Sequence, residues 1–424
     1  MHKLKVYFKN TFLVLFAEYF YYGILFLIGI IISRNFGDKE FGNFNLVISV
    51  AQICILTLGS SFSIILRRDM ALNESVGADL LHKTIILRII TIFISLIAGT
   101  IFIVSVYDAN IILIISLIFI TLYRGFDLLN ESFFIYYQAQ KKIEKYFIAK
   151  FLLSIFLAFF FYFIIKIFPS NFNLSYASLA IISCLVFLTQ LISHKRLKQK
   201  ITNKNAVVST YKYLLTEAWP IIANSFFFQL NSRLSILLIG YLCYNSGYLG
   251  LYAAALSIVS AITMVGNGIA IVLFSKLAEM FNTDVKAFKV FLFKICAGIF
   301  IMGFVAGLFY FLFTPQFILM YKIEDASALA VFFWCGISIP FIMVNTILGY
   351  IFTIIRKQKT ALIISIINLI LSLIIIFVFT TKFQIVGAAQ AYLITNILFF
   401  IIFIISILFI IGDAKNKILR VNTL

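Results

Sequence analysis

Apolar runs of about 20 residues, long enough to cross a hydrocarbon core of about 30 Å as an α-helix, recur along this whole chain. Short polar stretches separate them, and nothing the size of a soluble domain stands between them. In hydrocarbon each backbone N–H and C=O must find a partner inside its own segment, so such runs fold as helices. We mark spans at 11–33, 43–66, 84–106, 111–138, 147–168, 173–193, 213–241, 248–275, 288–313, 327–354, 360–381 and 384–411. The expected fold is all-α, a polytopic integral membrane protein of about twelve transmembrane helices. The first run is too long for a signal-peptide core and has no small-residue cleavage pattern behind it, so a retained helix is expected.

The 424 residues are 63% hydrophobic and only 12% charged, yet the net charge is +18. So basic a balance suggests nucleic acid until the positions of the charges are considered. With both termini on the cytoplasmic side, most Lys and Arg fall in inner segments. Arg34, Lys39, Lys166, Lys322 and Lys382 fall outside, and Arg124 and Arg233 fall within the membrane. This is the positive-inside bias of a multi-pass protein, so membrane lipid is the expected surroundings and nucleic acid is not an expected partner. Cys54, Cys184, Cys243, Cys296 and Cys335 are scattered over different spans without a CxxC pair, and His2, His82 and His194 form no HExxH spacing. Neither a disulfide framework nor a metal site is expected.

The largest shift in composition is "HKRLKQKITNKNAVVSTYKY" from His194. It divides the chain into an N-lobe of six helices (1–193), a basic cytoplasmic connection (194–212), a C-lobe of six helices (213–411) and a tail (412–424). The halves resemble each other: "FGNFNLVISV" (41–50) aligns with "LGLYAAALSI" (249–258), matching a glycine, an aromatic two residues on and a serine. A parallel repeat with pseudo-two-fold symmetry along the membrane normal is a common transporter plan, with the substrate site between the halves. Outer loops such as "RNFGDKE", "YDAN" and "TPQFILMYKIEDA" are short, too short to hold two substrates and an acid or base for glycan chemistry. No enzyme is expected.

A charge at the bilayer centre costs about 2.5–3.5 kcal/mol on insertion scales, so such residues usually face a bundle interior or a water-filled cavity. "YRGFDLLNE" (123–131) puts Arg124, Asp127 and Glu131 on one face of the fourth span, with Arg124 about 20 Å and Glu131 about 30 Å from its outer end. Two roles fit Arg124: pairing with Asp127 one turn away, or binding phosphate oxygens in fork geometry. Asp127 and Glu131 would then be ion or proton sites. The seventh span, "WPIIANSFFFQLNSRLSILLIGYL", carries Asn224, Ser225, Gln229, Asn231, Ser232, Arg233 and Ser235. On a regular helix Asn224, Asn231 and Ser235 share a face while Arg233 points nearly opposite, so one cavity holds them all only if the backbone breaks there. Arg233 is preferred as the cavity residue; a snorkelling arginine is the alternative. Glu18, beside Tyr19, Tyr21 and Tyr22, is either a protonated, hydrogen-bonded group or a functional one.

These residues are similar to those of the multidrug/oligosaccharidyl-lipid/polysaccharide exporter superfamily, and within it to the O-antigen flippases of the Wzx type. "IISRNFGDKEFGNFNLVISVAQICILTLG" resembles that family's entry into its second helix. "AWPIIANSFFFQLNSRLSILLIGYLCYNSGYLGLYAAA" resembles its seventh and eighth, and "RKQKTALIISIINLILSLIIIFVFTTKFQIVGAAQAYLI", with Asn368 and the Gly387-Ala388-Ala389 turn, its eleventh and twelfth. The resemblance implies a bacterial inner-membrane flippase for undecaprenyl-diphosphate-linked oligosaccharide, working by alternating access; a small-molecule efflux antiporter of the same superfamily is the alternative, and from another class a membrane polysaccharide polymerase or glycosyltransferase, against which the short outer loops stand. It would need no cofactor beyond a coupling cation, Na+ or H+, and would act beside polysaccharide polymerase and glycosyltransferases. Arg233 and Arg124 would bind diphosphate, and Asn224, Gln229 and Asn231 sugar hydroxyls. Asp127, Glu131 and Glu18 would couple an ion or proton, and Arg67, Arg68 and Arg356 would gather the head group at the cytoplasmic mouth or simply anchor the inner side. Two departures stand out. Ser235 occupies a place where many members carry an acid, and two intramembrane cations face three acids where a net cationic cavity would suit an anionic lipid.

Overall fold

The computed structural model describes residues 2–72, 77–107, 110–140, 142–169, 171–198, 211–243, 247–355 and 357–421. Among them the chain is helical throughout: α1 (His2–Leu72), α2 (Gly77–Val106), α3 (Ile111–Ala139), α4 (Ile143–Ile167), α5 (Phe172–Lys198), α6 (Tyr211–Leu242), α7 (Tyr248–Thr283), α8 (Val285–Leu312), α9 (Thr314–Tyr321), α10 (Ala328–Ile337), α11 (Ile339–Ile354) and α12 (Gln358–Val421). Nine helices of the described residues are long and apolar enough to cross a membrane. Two of these, α1 and α12, are hairpins. Gly37 in α1 takes φ 82°, ψ 174°, and a Cβ on Gly29 would lie 3.4 Å from the Phe41 ring, a contact that a straight helix could not make across twelve residues at 1.5 Å each. In α12 the reversal is at Gln384, φ 50°.

α6 is long enough to cross, but its run of Asn, Gln, Ser and Arg keeps it outside the apolar set. With α1 and α12 each counted as two crossings and α10–α11 as one, it completes the expected twelve. The protein is thus an all-α polytopic membrane protein, and its large exposed side chains, such as Phe293 and Phe409, suit contact with lipid tails.

Local sequence explains most boundaries. Asn110 caps α3, its side chain accepting from the N–H groups of Ile112 and Leu113, and Asp284 caps α8 in the same way through Lys286 and Ala287; such caps satisfy donors that a helix start leaves open. The tenth span, expected as one helix, is two. Pro340 has no N–H to give the carbonyl four residues back, and the break falls at Ser338, whose hydroxyl donates to the Cys335 carbonyl at 2.6 Å. The outer stretch "TPQFILMYKIEDA", expected as a loop, contains α9, which starts with a proline in its first turn and stops at Lys322 in the left-handed region.

By its contacts the chain forms two compact units, Met1–Arg233 and Leu234–Leu424. In the first, α3 is central and packs on α1, α2 and α5; in the second, α11 packs on α7, α8 and α12, with α10 on α12. The fourth and tenth spans thus hold corresponding central places. The aligned repeat segments behave alike too: Gly42 and Gly250 are buried, as are Phe44 and Tyr252. The first twenty-odd residues of α6 group with the first unit, whereas the sequence marks 213 as the start of the second lobe.

In the second unit, glycines allow backbones to meet closely, as is common between membrane helices. A Cβ on Gly303 would come within 2.6 Å of the Pro340 Cα, and one on Gly387 within 2.1 Å of the Phe379 carbonyl oxygen. Gly298, in contrast, meets nothing within 4 Å. Gly387→Ala is therefore expected to lower the thermal unfolding midpoint of the purified protein, at a cost of about 1–3 kcal/mol from overpacking against backbone. Gly298→Ala should leave it unchanged or raise it, as helix propensity dictates.

Candidate functional site

Of the charged residues expected inside the membrane, Glu18, Arg124, Asp127 and Glu131 lie on α1 and α3, and α2 and α4 add to them two cations, Arg88 and Lys150, that the sequence alone places among ordinary inner-side charges. Three groupings result.

The first is Arg124 and Asp127 on α3, 3.6 Å apart and one turn from each other. The Arg124 guanidinium also lies 5.2 Å from the Tyr123 ring centre, and the hydroxyls of Tyr123 and Tyr21 are hydrogen-bonded at 3.1 Å. Arg124 and Asp127 keep 16% and 24% of their side-chain surface exposed, so the pair is accessible on one side and could be opened by an anion competing for the guanidinium.

The second surrounds Glu131, which does not join the Arg124 pair despite sharing its face of the helix. Its carboxylate accepts from Ser63 at 3.1 Å and from Arg67 at 3.4 Å, and the Arg88 guanidinium lies 3.7 Å away. Arg88 has no exposed surface. It donates to the Leu128 carbonyl and the Ser132 hydroxyl, each at 2.5 Å, to the Gly59 carbonyl at 3.4 Å and to the Ser63 hydroxyl. Ser63 passes the interaction on by donating to Glu131. The small "LGSS" cluster of the second span has a purpose here: a Cβ on Gly59 would fall 2.1 Å from a Leu128 methyl, so α1 and α3 lie close together at this glycine and share Arg88, and a larger residue there would have to displace the Leu128 side chain.

The third joins α1 to α4. Lys150 Nζ stands 2.5 Å from the Glu18 carboxylate, and the Tyr146 hydroxyl donates to the same oxygen at 2.6 Å. Glu18 thus has both an ammonium and a phenol as partners on one carboxylate oxygen.

At the end of the second span, Arg68 is not a free anchor. It pairs with Asp69 at 2.8 Å and with Glu217 of α6 at 2.9 Å, and donates to the Tyr213 hydroxyl at 2.8 Å. Arg67 is exposed and turned to Glu131. Arg356 lies outside the described residues.

The polar run of α6 remains on a continuous helix, so the condition under which it could line one cavity together with Arg233 is not met. Asn224 is exposed, Gln229, Asn231 and Arg233 are half-buried and Ser235 is buried; Ser232 donates to the Gln229 carbonyl at 2.9 Å. Elsewhere in the first unit Asn130 and Gln190 bond α3 to α5, a structural use of polarity. Among the described residues no group of three His, Cys, Asp or Glu could hold a metal ion.

The charge count inside the membrane therefore changes. Arg88, Arg124, Lys150 and Arg233 stand against Glu18, Asp127 and Glu131, with Arg67 at the rim, so the cations outnumber the acids and the departure noted from the sequence disappears. Arg88 and Lys150 were missed because both lie near the inner ends of their spans, where positive charge is ordinary. A signal was present: Arg88 sits among "IILRIITIF" and Lys150 follows "YFIA", both already apolar.

The fold is shared with solved multi-pass membrane proteins. An inward-facing multidrug resistance MATE family transporter of the MOP superfamily superposes with a TM-score of 0.70 at 16% identity, covering 94% of this chain and 96% of its own. The lipid II flippase MurJ, in an inward closed conformation, gives 0.67 at 16% identity over 93% and 87%. The Vibrio cholerae MATE transporter VcmN in its bent form gives 0.65 at 14% over 95% and 97%. No curated protein matches the sequence. Residues 7–281 match the family described as polysaccharide biosynthesis protein, and the chain belongs to that family. Membership in that family agrees with the polysaccharide side of the resemblance drawn from the sequence.

Removing a buried charge that others depend on is costly, and removing an exposed one is not. Arg88→Met leaves Ser63, Ser132 and two carbonyls without their donor and should destabilise by about 3–5 kcal/mol. Arg67→Ala should cost less than about 1 kcal/mol. Unfolding midpoints and the yield of folded protein in membranes separate the two.

Proposed function

We propose that this protein is a flippase that carries an undecaprenyl-diphosphate-linked oligosaccharide, the O-antigen repeat unit, from the cytoplasmic to the periplasmic leaflet of the bacterial inner membrane by alternating access, and that it is not an enzyme. Both termini lie in the cytoplasm in this proposal, as the positive-inside distribution requires. The observation that carries it is the conjunction of membership in a polysaccharide biosynthesis family with a membrane-embedded cluster of guanidinium and carboxylate groups on one side of a transporter fold. Sugars and a diphosphate cannot cross hydrocarbon unshielded, whereas the polyprenyl tail can stay in lipid. A polar interior opening to the bilayer meets that need.

In this scheme Arg124 and Arg233 bind the diphosphate and Gln229, one turn from Arg233, meets a sugar hydroxyl, whereas Asn224 and Asn231 lie on the other face of the continuous α6 and are not assigned to the same cavity. Asp127, Glu131 and Glu18 couple the cycle to H+ or Na+, and Arg67, Arg68 and Arg356 gather the head group at the inner mouth. The Arg124–Asp127 pair supports the assignment because a diphosphate offers the guanidinium a stronger, bidentate partner than a single carboxylate at 3.6 Å. Polysaccharide polymerase and glycosyltransferases are the partners upstream and downstream. The fold of the MATE transporters keeps small-molecule efflux as the alternative.

In cells lacking the gene, lipid-linked oligosaccharide is expected to accumulate in a form that an added periplasmic glycan-modifying enzyme cannot reach. Accessible but unpolymerised units would place the defect after translocation, and no accumulation at all would favour efflux. Arg124→Ala and Arg233→Ala, each folded and inserted, should lower complementation of that strain at least tenfold; full activity in both would remove the diphosphate assignment.

A further inference from the structure

The Glu18–Lys150 pair is more than an ion pair. The Lys150 ammonium lies 5.2 Å from the ring centre of Tyr21, 5.6 Å from that of Phe134 and 6.0 Å from that of Tyr146, and Tyr146 also donates to the Glu18 oxygen that the ammonium holds. Three aromatic rings and a carboxylate, drawn from α1, α3 and α4, make a box of the kind that recognises organic ammonium ions, since the negative ring faces attract a cation that is easily desolvated. Hard metal cations instead take shells of oxygen ligands, and among the described residues the box as defined offers one carboxylate and two phenols. We propose that this box is an ammonium-binding site occupied by the chain's own Lys150, a resident cation that keeps Na+ from Glu18.

This goes beyond the flippase reading and does not rest on it, because the property belongs to the pocket and not to the transport cycle. Lys150 is only 8% exposed, and its side chain reaches the box from one turn beyond Tyr146 on α4. A lysine there without partners would carry the full cost of a charge in hydrocarbon. The rings and the carboxylate offset it. For any cation-coupled cycle the consequence is definite: at Glu18 the proton is the one diffusible cation left to compete with the ammonium, and Na+ must act elsewhere.

The test uses the purified full-length protein in detergent, with thermal unfolding measured in chloride salts of Na+, choline and n-propylammonium at equal ionic strength. n-Propylammonium is the fragment that Lys150→Ala removes. The unaltered protein should show the same midpoint in all three salts. Lys150→Ala should unfold at lower temperature and be restored by n-propylammonium at concentrations at least tenfold below those at which Na+ has any effect. Adding Glu18→Gln to Lys150→Ala should abolish the restoration. A Lys150→Ala protein that responds to no cation, or to Na+ as well as to n-propylammonium, overturns the proposal. So does stabilisation of the unaltered protein by Na+ that Glu18→Gln removes. Should Lys150→Ala fail to accumulate folded, solubilisation with n-propylammonium present provides the same decision: recovery of folded protein supports the box, and no recovery overturns it.

Discussion

Arg88 occupies the place in the first unit on which its neighbours depend, because a guanidinium removed entirely from solvent must be given partners for its donors by the chain around it. The structure meets that demand at the two terminal nitrogens with two hydroxyls, two backbone carbonyls and a nearby carboxylate, taken from α1 and α3, and leaves the Nε–H without a hydrogen bond. To bring those groups within reach the second half of α1 has to press against α3, and Gly59 permits it. Once Arg88 is placed, Ser63 is oriented and Glu131 is held through it, and α3 is fixed in rotation. That rotation in turn sets where Arg124 and Asp127 point. Packing, hydrogen bonding and the presentation of the accessible pair are thus one problem with one solution.

The two units share a plan and divide the polarity unequally. Each has a central helix in the corresponding place, α3 in one and α10–α11 in the other. The first carries Arg124, Asp127 and Glu131, whereas "ALAVFFWCGISIPFIMVNTILGYIFTI" carries no charge at all. The second unit is held by glycine contacts, by Asn345 donating to the Asn396 carbonyl at 3.0 Å, and by a proline break. A core without charges can rely on van der Waals packing and a few neutral hydrogen bonds. One with three carboxylates and four cations depends far more on the placement of each partner. If the protein is a flippase, as proposed, the charge-bearing unit is the one whose interactions a charged head group or a coupling cation would alter, and the other is the more inert body.

The sequence alone predicts the number of crossings, the hairpins near Gly37 and Gln384, and the angular placement of Arg124 with Asp127. These depend on local properties: span length, hydropathy and 3.6-residue periodicity. It misses α9 and the break at Pro340, although the proline was visible. It also groups Glu131 with Arg124 because angular position within a helix does not say which neighbouring helix supplies the partner. Arg67 and Arg68 read as residues that gather a head group or anchor the inner side for the same reason, and only the structure reveals their contacts with Glu131 and Glu217.

Lys150 and Arg88 show where the boundary falls. From the sequence each is one more positive charge near an inner end, consistent with the orientation rule and set apart only by its apolar neighbours. In the folded chain one is boxed by rings from three helices and the other is sealed between two. What the sequence by itself determined is that this chain crosses the membrane about twelve times with its basic residues mostly on one side, because hydrocarbon thickness and backbone hydrogen bonding leave no other arrangement. What only the tertiary structure decided is which charges are paired, since an ion pair between helices far apart in sequence exists only once packing has set their rotation and distance to within an ångström or so.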